Sequence, residues 1–176
     1  MQSHIFLLTG PVHSGKTTRA GGLVEMIRAK GVRVSGFLAP GRFDAGVRSG
    51  YTLLDVEDGS RMPLASIRNE MGWVRYGRFF FNPAALQKGE KIINRAIRES
   101  SRFLVIDEVG PMELAGLGWS GILGFMAERR EIKQLWVVRE SLVCEVLSRW
   151  KVTPENAFPA EGTGDETLLE KILGNC

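Results

Sequence analysis

The stretch HIFLLTGPVHSGKTTRAGG, residues 4–22, decides the fold. Its short apolar run, IFLLT, ends at Gly10, which is typical of a buried strand that enters a turn. From Lys16 to Lys30 the apolar residues recur at helical spacing, and a glycine then supplies a stop. A second apolar segment follows at residues 32–39. The pattern predicts a strand, a helix and a second strand, joined as in a parallel sheet with covered faces.

The turn between this first strand and helix reads GPVHSGKT and fits the pattern GxxxxGK[ST] without a gap. Glycines permit a tight P-loop whose backbone N–H groups point at phosphate oxygens, and the helix start favours an anion. We expect Lys16 to reach the β- and γ-phosphates of a nucleotide and Thr17 to place a hydroxyl on Mg²⁺. For His13 we expect the backbone amide to bind while the imidazole faces outward. The predicted nucleotide-binding residues are Gly10, Pro11, Val12, His13, Ser14, Gly15, Lys16, Thr17 and Thr18.

A second polar signal follows the apolar run FLVI, where Asp107 and Glu108 end a predicted strand. An acid at this position is the usual partner of a P-loop, so Asp107 is predicted to hold Mg²⁺, mostly through water. Neighbouring strand residues point to opposite faces. At a strand end, however, Glu108 can turn toward the γ-phosphate and activate water as a general base. The alternative is that Glu108 only caps the strand.

Arginines near strand and loop ends are candidates for neutralising the charge of a leaving diphosphate. Arg139 and Arg48 come first by position and Arg78 next, and the alternative for each is an ordinary surface arginine. Phe158 or Trp119 could stack on the base, although for each we expect core or surface packing.

The middle of the chain changes from a parallel to an antiparallel pattern. SGYTLLDV and RMPLASI flank the turn EDGS, which predicts a hairpin over residues 49–67. The segment PGRFDAG before it is predicted to be a loop, and WVRYGRFFF, residues 73–81, one strand. Asn82 and Pro83 predict a helix start, and Ser141 is predicted to cap a later helix.

These elements together predict an α/β fold: a three-layer P-loop domain over residues 1–176, with a mostly parallel central sheet, helices on both faces and an antiparallel hairpin insert at 49–67. The acid directly after Asp107 is typical of P-loop ATPases that carry an extra sheet strand between the two motifs. The sequence therefore favours the ATPase side of the P-loop proteins over the simple nucleotide kinases.

The composition is that of a soluble globular protein, with 44% apolar and 24% charged residues. The net charge of +3 suits a phosphate-rich small ligand and is weak support for nucleic acid. Cys144 and Cys176 lie far apart without metal spacing, so we expect two reduced thiols. We see no signal peptide and no apolar run near the roughly 18–20 residues that cross a bilayer. These features predict a cytoplasmic protein without a membrane partner.

The blocks GPVHSGKTT, GFLAP, VRSGYTLLD, FNPAAL and VIDEVGPMEL resemble a small P-loop family, the nucleoside-triphosphatase family first described from thermophiles, with a human cancer-related member. The resemblance runs from residue 5 to about residue 159 and is most specific at 105–114. It implies Mg²⁺-dependent hydrolysis of nucleoside triphosphates, ATP, GTP, CTP and UTP among them, to diphosphate and phosphate. The family's site residues carry over to Gly10, Gly15, Lys16, Thr17, Asp107 and Glu108.

We therefore predict a nucleoside-triphosphate phosphatase with Glu108, Lys16, Arg139 and Arg48 as catalytic residues and Mg²⁺ held by Thr17 and Asp107. One alternative is a kinase for a nucleotide or small metabolite, whose acceptor pocket and lid the hairpin and the region 70–81 could supply. Another is a nucleotide-dependent interaction module with little turnover. The net charge gives little support for nucleic-acid binding, and the sequence identifies no protein partner.

Overall fold

The computed structural model describes residues 4–162 and 164–174, and a ten-stranded sheet forms its centre. In chain order the strands are β1 (Ile5–Gly10), β2 (Val34–Leu38), β3 (Gly41–Asp44), β4 (Val47–Asp55), β5 (Arg61–Ser66), β6 (Val74–Tyr76), β7 (Phe79–Phe81), β8 (Phe103–Val109), β9 (Lys133–Arg139) and β10 (Ala157–Pro159). The helices are α1 (Lys16–Ala29), α2 (Pro83–Arg98), α3 (Pro111–Leu114), α4 (Ser120–Ala127), α5 (Val143–Trp150) and α6 (Asp165–Leu173).

Half of the sheet is parallel, in the spatial order β10-β1-β9-β8-β2. The three central strands of this half, β1, β8 and β9, each have an uninterrupted apolar run, as a strand covered on both faces requires. The carboxyl ends of β1 and β8 carry the P-loop and the acidic pair. β9 lies between them, so the predicted extra strand is present. The two motifs therefore lie at one edge of the sheet, one strand apart.

Helices cover both faces, which confirms the three-layer α/β prediction. Ile5 and Leu7 of β1 join a core with α2, α4 and α5, whereas Phe6 and Leu8 join a second core with α1 and α6. This alternation is the two-residue period of a strand. Among the described residues, no helix is long and apolar enough to cross a bilayer.

The other half of the sheet is antiparallel, in the order β2-β4-β5-β7-β6, with β3 paired to β4. The predicted hairpin at 49–67 is thus confirmed as β4 and β5, and it extends the central sheet directly. The predicted loop PGRFDAG is wrong, because part of it forms β3. Ala45 and Gly46 both have positive φ, 47° and 78°, so they make the two-residue turn that joins β3 to β4.

Two further local predictions need correction. Residues 73–81 form two short strands, β6 and β7, because Gly77 (φ 59°) allows a tight turn between Tyr76 and Phe79. Ser141 does not cap α5: residues 140–142 form a 3₁₀ turn, and α5 starts at Val143 without a side-chain cap. The Asn82 cap of α2 is confirmed, since its side chain accepts a hydrogen bond from the backbone N–H of Ala84 at 3.1 Å.

Candidate active site

The P-loop joins β1 to α1 and curls around the side chain of Lys16. His13 and Gly15 adopt left-handed φ of 69° and 75°, which reverse the chain within a few residues. The Lys16 ammonium donates to the carbonyl of Pro11 and lies 3.5 Å from Ser14 Oγ. Desolvation lowers the pKa of Lys16, with the charges of nearby acids opposing that shift. The lysine thus lies across its own loop, where the oxygens of an anion could replace these neutral partners.

Asp107 lies at the end of β8 and is fully buried. Its Oδ1 accepts from the backbone N–H of Glu108 at 2.8 Å, and its Oδ2 accepts from that of Ala39 at 2.9 Å. The side chain of Thr17, in the first turn of α1, also hydrogen-bonds to it. Burial raises the pKa of Asp107 against these hydrogen bonds. The fold therefore brings together the two residues that the sequence predicts as metal ligands.

The oxygen donors of Thr17 and Asp107 are of the kind that Mg²⁺ prefers. Among residues 4–162 and 164–174, no group of three or more His, Cys, Asp or Glu side chains could hold a metal ion. An all-protein cage is therefore absent from the described part of the chain.

Glu108 does not follow the alternation of an ordinary strand. The register between β8 and β9 shifts between Ile106 and Val109, so the acidic pair lies in a β-bulge. Glu108 has a left-handed φ of 61°, which costs a non-glycine residue about 1–3 kcal/mol. The bulge explains how two sequence neighbours can serve one site.

The Glu108 carboxylate is surrounded by charge, although a quarter (25%) of its side chain stays exposed. Desolvation and the neighbouring Asp107 raise its pKa to about 7, while Arg139, Arg48 and Lys16 oppose that shift. Arg139 Nη2, from the end of β9, lies 3.8 Å from Glu108 Oε2. The two predicted catalytic arginines and the lysine thus all act on one carboxylate.

Arg48 links the P-loop to the antiparallel half of the sheet. Its Nη1 donates to Tyr51 Oη at 3.0 Å, and its Nη2 lies 3.3 Å from His13 Nδ1. The guanidinium also lies over the Phe43 ring, 5.2 Å from its centre. The imidazole of His13 is exposed, as the sequence predicts, yet it contacts this arginine. Arg48 therefore connects β4 to the loop that would hold phosphate.

The remaining predicted candidates divide between the surface and the core. Val12 is exposed on the P-loop and Thr18 in the first turn of α1, and Arg78 is exposed with its guanidinium over the Phe79 ring. Phe158 is buried, stacked on Phe6 in the α1 side of the core. Core packing, the expected alternative to base stacking, is thus confirmed for Phe158.

Beside Glu108 lies a cavity of about 440 Å³, which we call the aromatic cavity. Its apolar lining comes from β4, β5, the β6–β7 hairpin and the segment of α3 and α4: Tyr51, Leu64, Phe79, Phe81, Met112 and Trp119. Its polar lining includes Arg48, Glu108, Glu113 and Arg139, and Val12 of the P-loop reaches it. Sequence reasoning missed this cavity, because its walls come from segments that are far apart along the chain.

Glu113 is a second buried acid at this cavity, only 2% exposed. Its Oε2 accepts from the backbone N–H of Gly110 at 3.1 Å, and its Oε1 accepts from that of Trp119 at 3.4 Å. Desolvation raises its pKa to about 7. Sequence reasoning missed its role, although a glutamate three residues after the start of a helix is the spacing of a capping box. Glu113 fixes the turn that follows the acidic pair.

Comparison with known proteins identifies the family of this chain. The family model described as NTPase matches residues 4–157. The chain belongs to the NTPase family. The match includes the P-loop, the acidic pair, both arginines and every residue named above in the lining of the aromatic cavity.

Curated relatives within the NTPase family carry the name nucleoside-triphosphatase THEP1. The relative from Ignicoccus hospitalis is 39% identical over 61% of this chain and 59% of its own length. The relative from Methanothermobacter thermautotrophicus is 36% identical over 61% of each chain. This chain thus spans about three fifths of the length of these first relatives. A Pyrococcus abyssi relative is 30% identical over 96% of this chain and 94% of its own.

Solved structures similar to this chain share its fold. The solution structure of a human cancer-related nucleoside triphosphatase has a TM-score of 0.66 and 25% identity, covering 97% of this chain and 96% of the other. The crystal structure of THEP1 from Aquifex aeolicus has a TM-score of 0.69 and 22% identity, covering 96% of both. Because its identity to this chain is only 22%, the Aquifex aeolicus structure is compared for its fold alone.

Proposed function

We propose that this chain hydrolyses nucleoside 5'-triphosphates to diphosphate and phosphate with Mg²⁺. The observation that carries the proposal is Glu108, which lies in the bulge beside buried Asp107, interacts with the charge of Lys16 and has Arg139 3.8 Å from its carboxylate. A protein that only binds nucleotide needs the P-loop, but it does not need a carboxylate that an arginine holds beside that loop. The names of the curated relatives support the same activity.

Binding of the triphosphate falls to the P-loop and the start of α1. The backbone N–H groups of the loop and the positive end of the helix attract the phosphates. Lys16 exchanges its contacts with Pro11 and Ser14 for phosphate oxygens, so its charge is then opposed by an anion. Because these contacts involve the phosphates alone, we expect ATP, GTP, CTP and UTP to serve as substrates.

Thr17 and Asp107 would hold Mg²⁺, Thr17 directly through its hydroxyl and Asp107 mostly through water. When bound, the ion neutralises charge on the phosphates during transfer. Asp107 already receives two backbone hydrogen bonds, and these fix its orientation toward Thr17.

Glu108 is the general base. It accepts a proton from a water molecule as the water oxygen attacks the γ-phosphorus, and the bond to the bridging oxygen of the diphosphate breaks. Arg139 orients the carboxylate, and it and Arg48 provide positive charge for the phosphoryl group in the transition state. Positioning and electrostatic stabilisation, rather than covalent chemistry, account for the rate.

Phosphate release from the four nucleotides with Mg²⁺ tests this function, with nucleotide binding measured beside it. We expect wild type to release phosphate, Lys16→Ala to lose binding, and Glu108→Ala to bind without turnover. Lys30→Ala and Glu128→Ala remove exposed residues of the same types and serve as controls that keep wild-type rates. Binding by wild type without phosphate release above that of Glu108→Ala would contradict the proposal.

A further inference from the structure

The aromatic cavity is larger than hydrolysis requires. Its volume is about 440 Å³, whereas one water molecule occupies about 30 Å³ in the liquid. Cavities of about 300–1,000 Å³ are the usual size of small-molecule sites. A site whose second reactant is water alone has no need of an apolar chamber this large. The dimensions suit an organic molecule.

The rings that line the cavity are held in place before any ligand binds. Trp119 is only 3% exposed, donates from Nε1 to the carbonyl of Leu86 at 2.9 Å, and lies 4.4 Å from the Phe37 ring centre. Tyr51 and Phe79 meet edge to face with their centres 5.3 Å apart. Fixed aromatic walls lose little freedom on binding and favour a planar ring between them.

The cavity opens onto the reacting end of the proposed nucleotide site. Glu108 and Val12 of the P-loop both line it. A base that activates the attacking group lies in line with the γ-phosphate, on the side opposite the leaving diphosphate. A hydroxyl group on a molecule in the cavity therefore reaches the γ-phosphorus along the same path as water.

Arg48 supplies a polar contact on the same wall. It lines the cavity together with Arg139. Cationic donors on the wall favour an occupant that carries an acceptor oxygen. The occupant thus combines an apolar ring with at least one polar oxygen.

We propose that the aromatic cavity binds a second substrate, a small molecule with a planar aromatic ring and a hydroxyl group, which replaces water as the phosphoryl acceptor. The hydroxyl oxygen bonds to the γ-phosphorus, the bond to the bridging oxygen breaks, and the proton passes to Glu108. The products are a phosphate monoester and the nucleoside diphosphate. This inference rests on the proposed function, because both reactions use the same bound triphosphate and base.

The test follows ATP labelled at the γ-phosphate, with Mg²⁺ and one of six probes: adenosine, guanosine, cytidine, uridine, thymidine or pyridoxine. Chromatography separates labelled ester from labelled phosphate. We expect at least one probe to give a labelled ester with saturable dependence on its concentration, and phosphate release to fall as ester forms.

Substitutions in the walls of the aromatic cavity test whether the phosphoryl acceptor binds there. Phe79→Ala removes an aromatic wall, and we expect it to lower the ratio of ester to phosphate at least tenfold. Tyr76→Ala, at the same cavity, is expected to act in the same direction and provides a second variant should Phe79→Ala not fold. Phe125→Ala is the matched control, because Phe125 is 45% exposed on α4 and does not line the cavity. It should keep the wild-type ratio.

The outcomes separate this inference from the proposed function. Phosphate release by wild type without ester from any probe would overturn the second-substrate site and leave hydrolysis intact. Absence of both products would overturn both proposals. Ester whose ratio to phosphate is unchanged in both cavity variants would also overturn the assignment of the acceptor to this cavity.

Discussion

The guanidinium of Arg139 lies 3.8 Å from the carboxylate of Glu108, and the two meet where β8 and β9 lose register. Val109 pairs with Val138 beyond the bulge, so Arg139 follows the strand pair directly. The register shift that contains Glu108 thus also places its carboxylate next to an arginine of the neighbouring strand, β9. One feature of the sheet therefore positions both the carboxylate and the guanidinium.

Replacing Arg139 by alanine should slow turnover far more than it weakens binding. Loss of one preorganised cationic donor to the transition state typically lowers kcat about 100-fold or more. Steady-state phosphate release gives kcat and KM for the variant. Arg98→Ala, an exposed arginine at the end of α2, is the control. An Arg139→Ala kcat within threefold of wild type would exclude this role.

Gly36→Ala should prevent stable folding or cost at least about 4 kcal/mol. Gly36 has a φ of 118°, and an added Cβ would lie 2.0 Å from the carbonyl oxygen of Val105 on the neighbouring strand. Gly22→Ala is the matched control: it lies in α1 with nothing within 4 Å, so alanine should stabilise by about 0.5–1 kcal/mol. Urea unfolding measures both. A Gly36→Ala protein within 1 kcal/mol of wild type would contradict the described strand pairing.

Arg95→Ala should destabilise the fold by about 2–4 kcal/mol, because it leaves a buried carboxylate unpaired. Arg95 Nη2 contacts both carboxylate oxygens of Asp55, at 2.8 and 2.9 Å, and Asp55 is 1% exposed. The exposed pair of Arg68 and Asp44 provides the comparison, and Arg68→Ala should change stability by less than about 1 kcal/mol. Equal effects of the two variants in urea unfolding would count against this explanation.

Deprotonation of Glu113 should lower the free energy of unfolding as the pH rises from 5 to 8. Its pKa is about 7 in the folded chain against an ordinary 4.5, so the folded state holds more protons in this window. The free energy of unfolding then falls with pH, by about 2 kcal/mol from this group. Glu113→Gln cannot titrate, and the difference between wild type and variant in urea unfolding at each pH isolates the effect. A difference that is constant from pH 5 to 8 would contradict it.

The parallel half of the fold could be predicted from the sequence because its signals are local. The strand before Gly10 and the one before Asp107 are uninterrupted apolar runs, and α1 has helical spacing. The P-loop and the acidic pair lie at the carboxyl ends of such strands, where a parallel sheet brings them together. That juxtaposition therefore needed no knowledge of distant contacts.

What the sequence did not predict depends on partners elsewhere in the chain. Nothing in FLVIDEV marks a bulge, because the register shift at Glu108 arises from pairing with β9. Ala45 takes a left-handed φ although alanine is not a turn signal, so β3 was missed. The aromatic cavity combines residues from 12 to 139, and Glu113 reaches it only through the turn that it caps.

The role of Glu108 as the general base can be tested by a single-turnover assay of Glu108→Gln with Mg²⁺ and each nucleotide bound in advance. Glutamine keeps the size of the side chain but cannot accept the proton. We expect nucleotide affinity within a few fold of wild type and phosphate formation at least about 100-fold slower. Phosphate formation at the wild-type rate by a variant that binds normally would show that Glu108 is not the base.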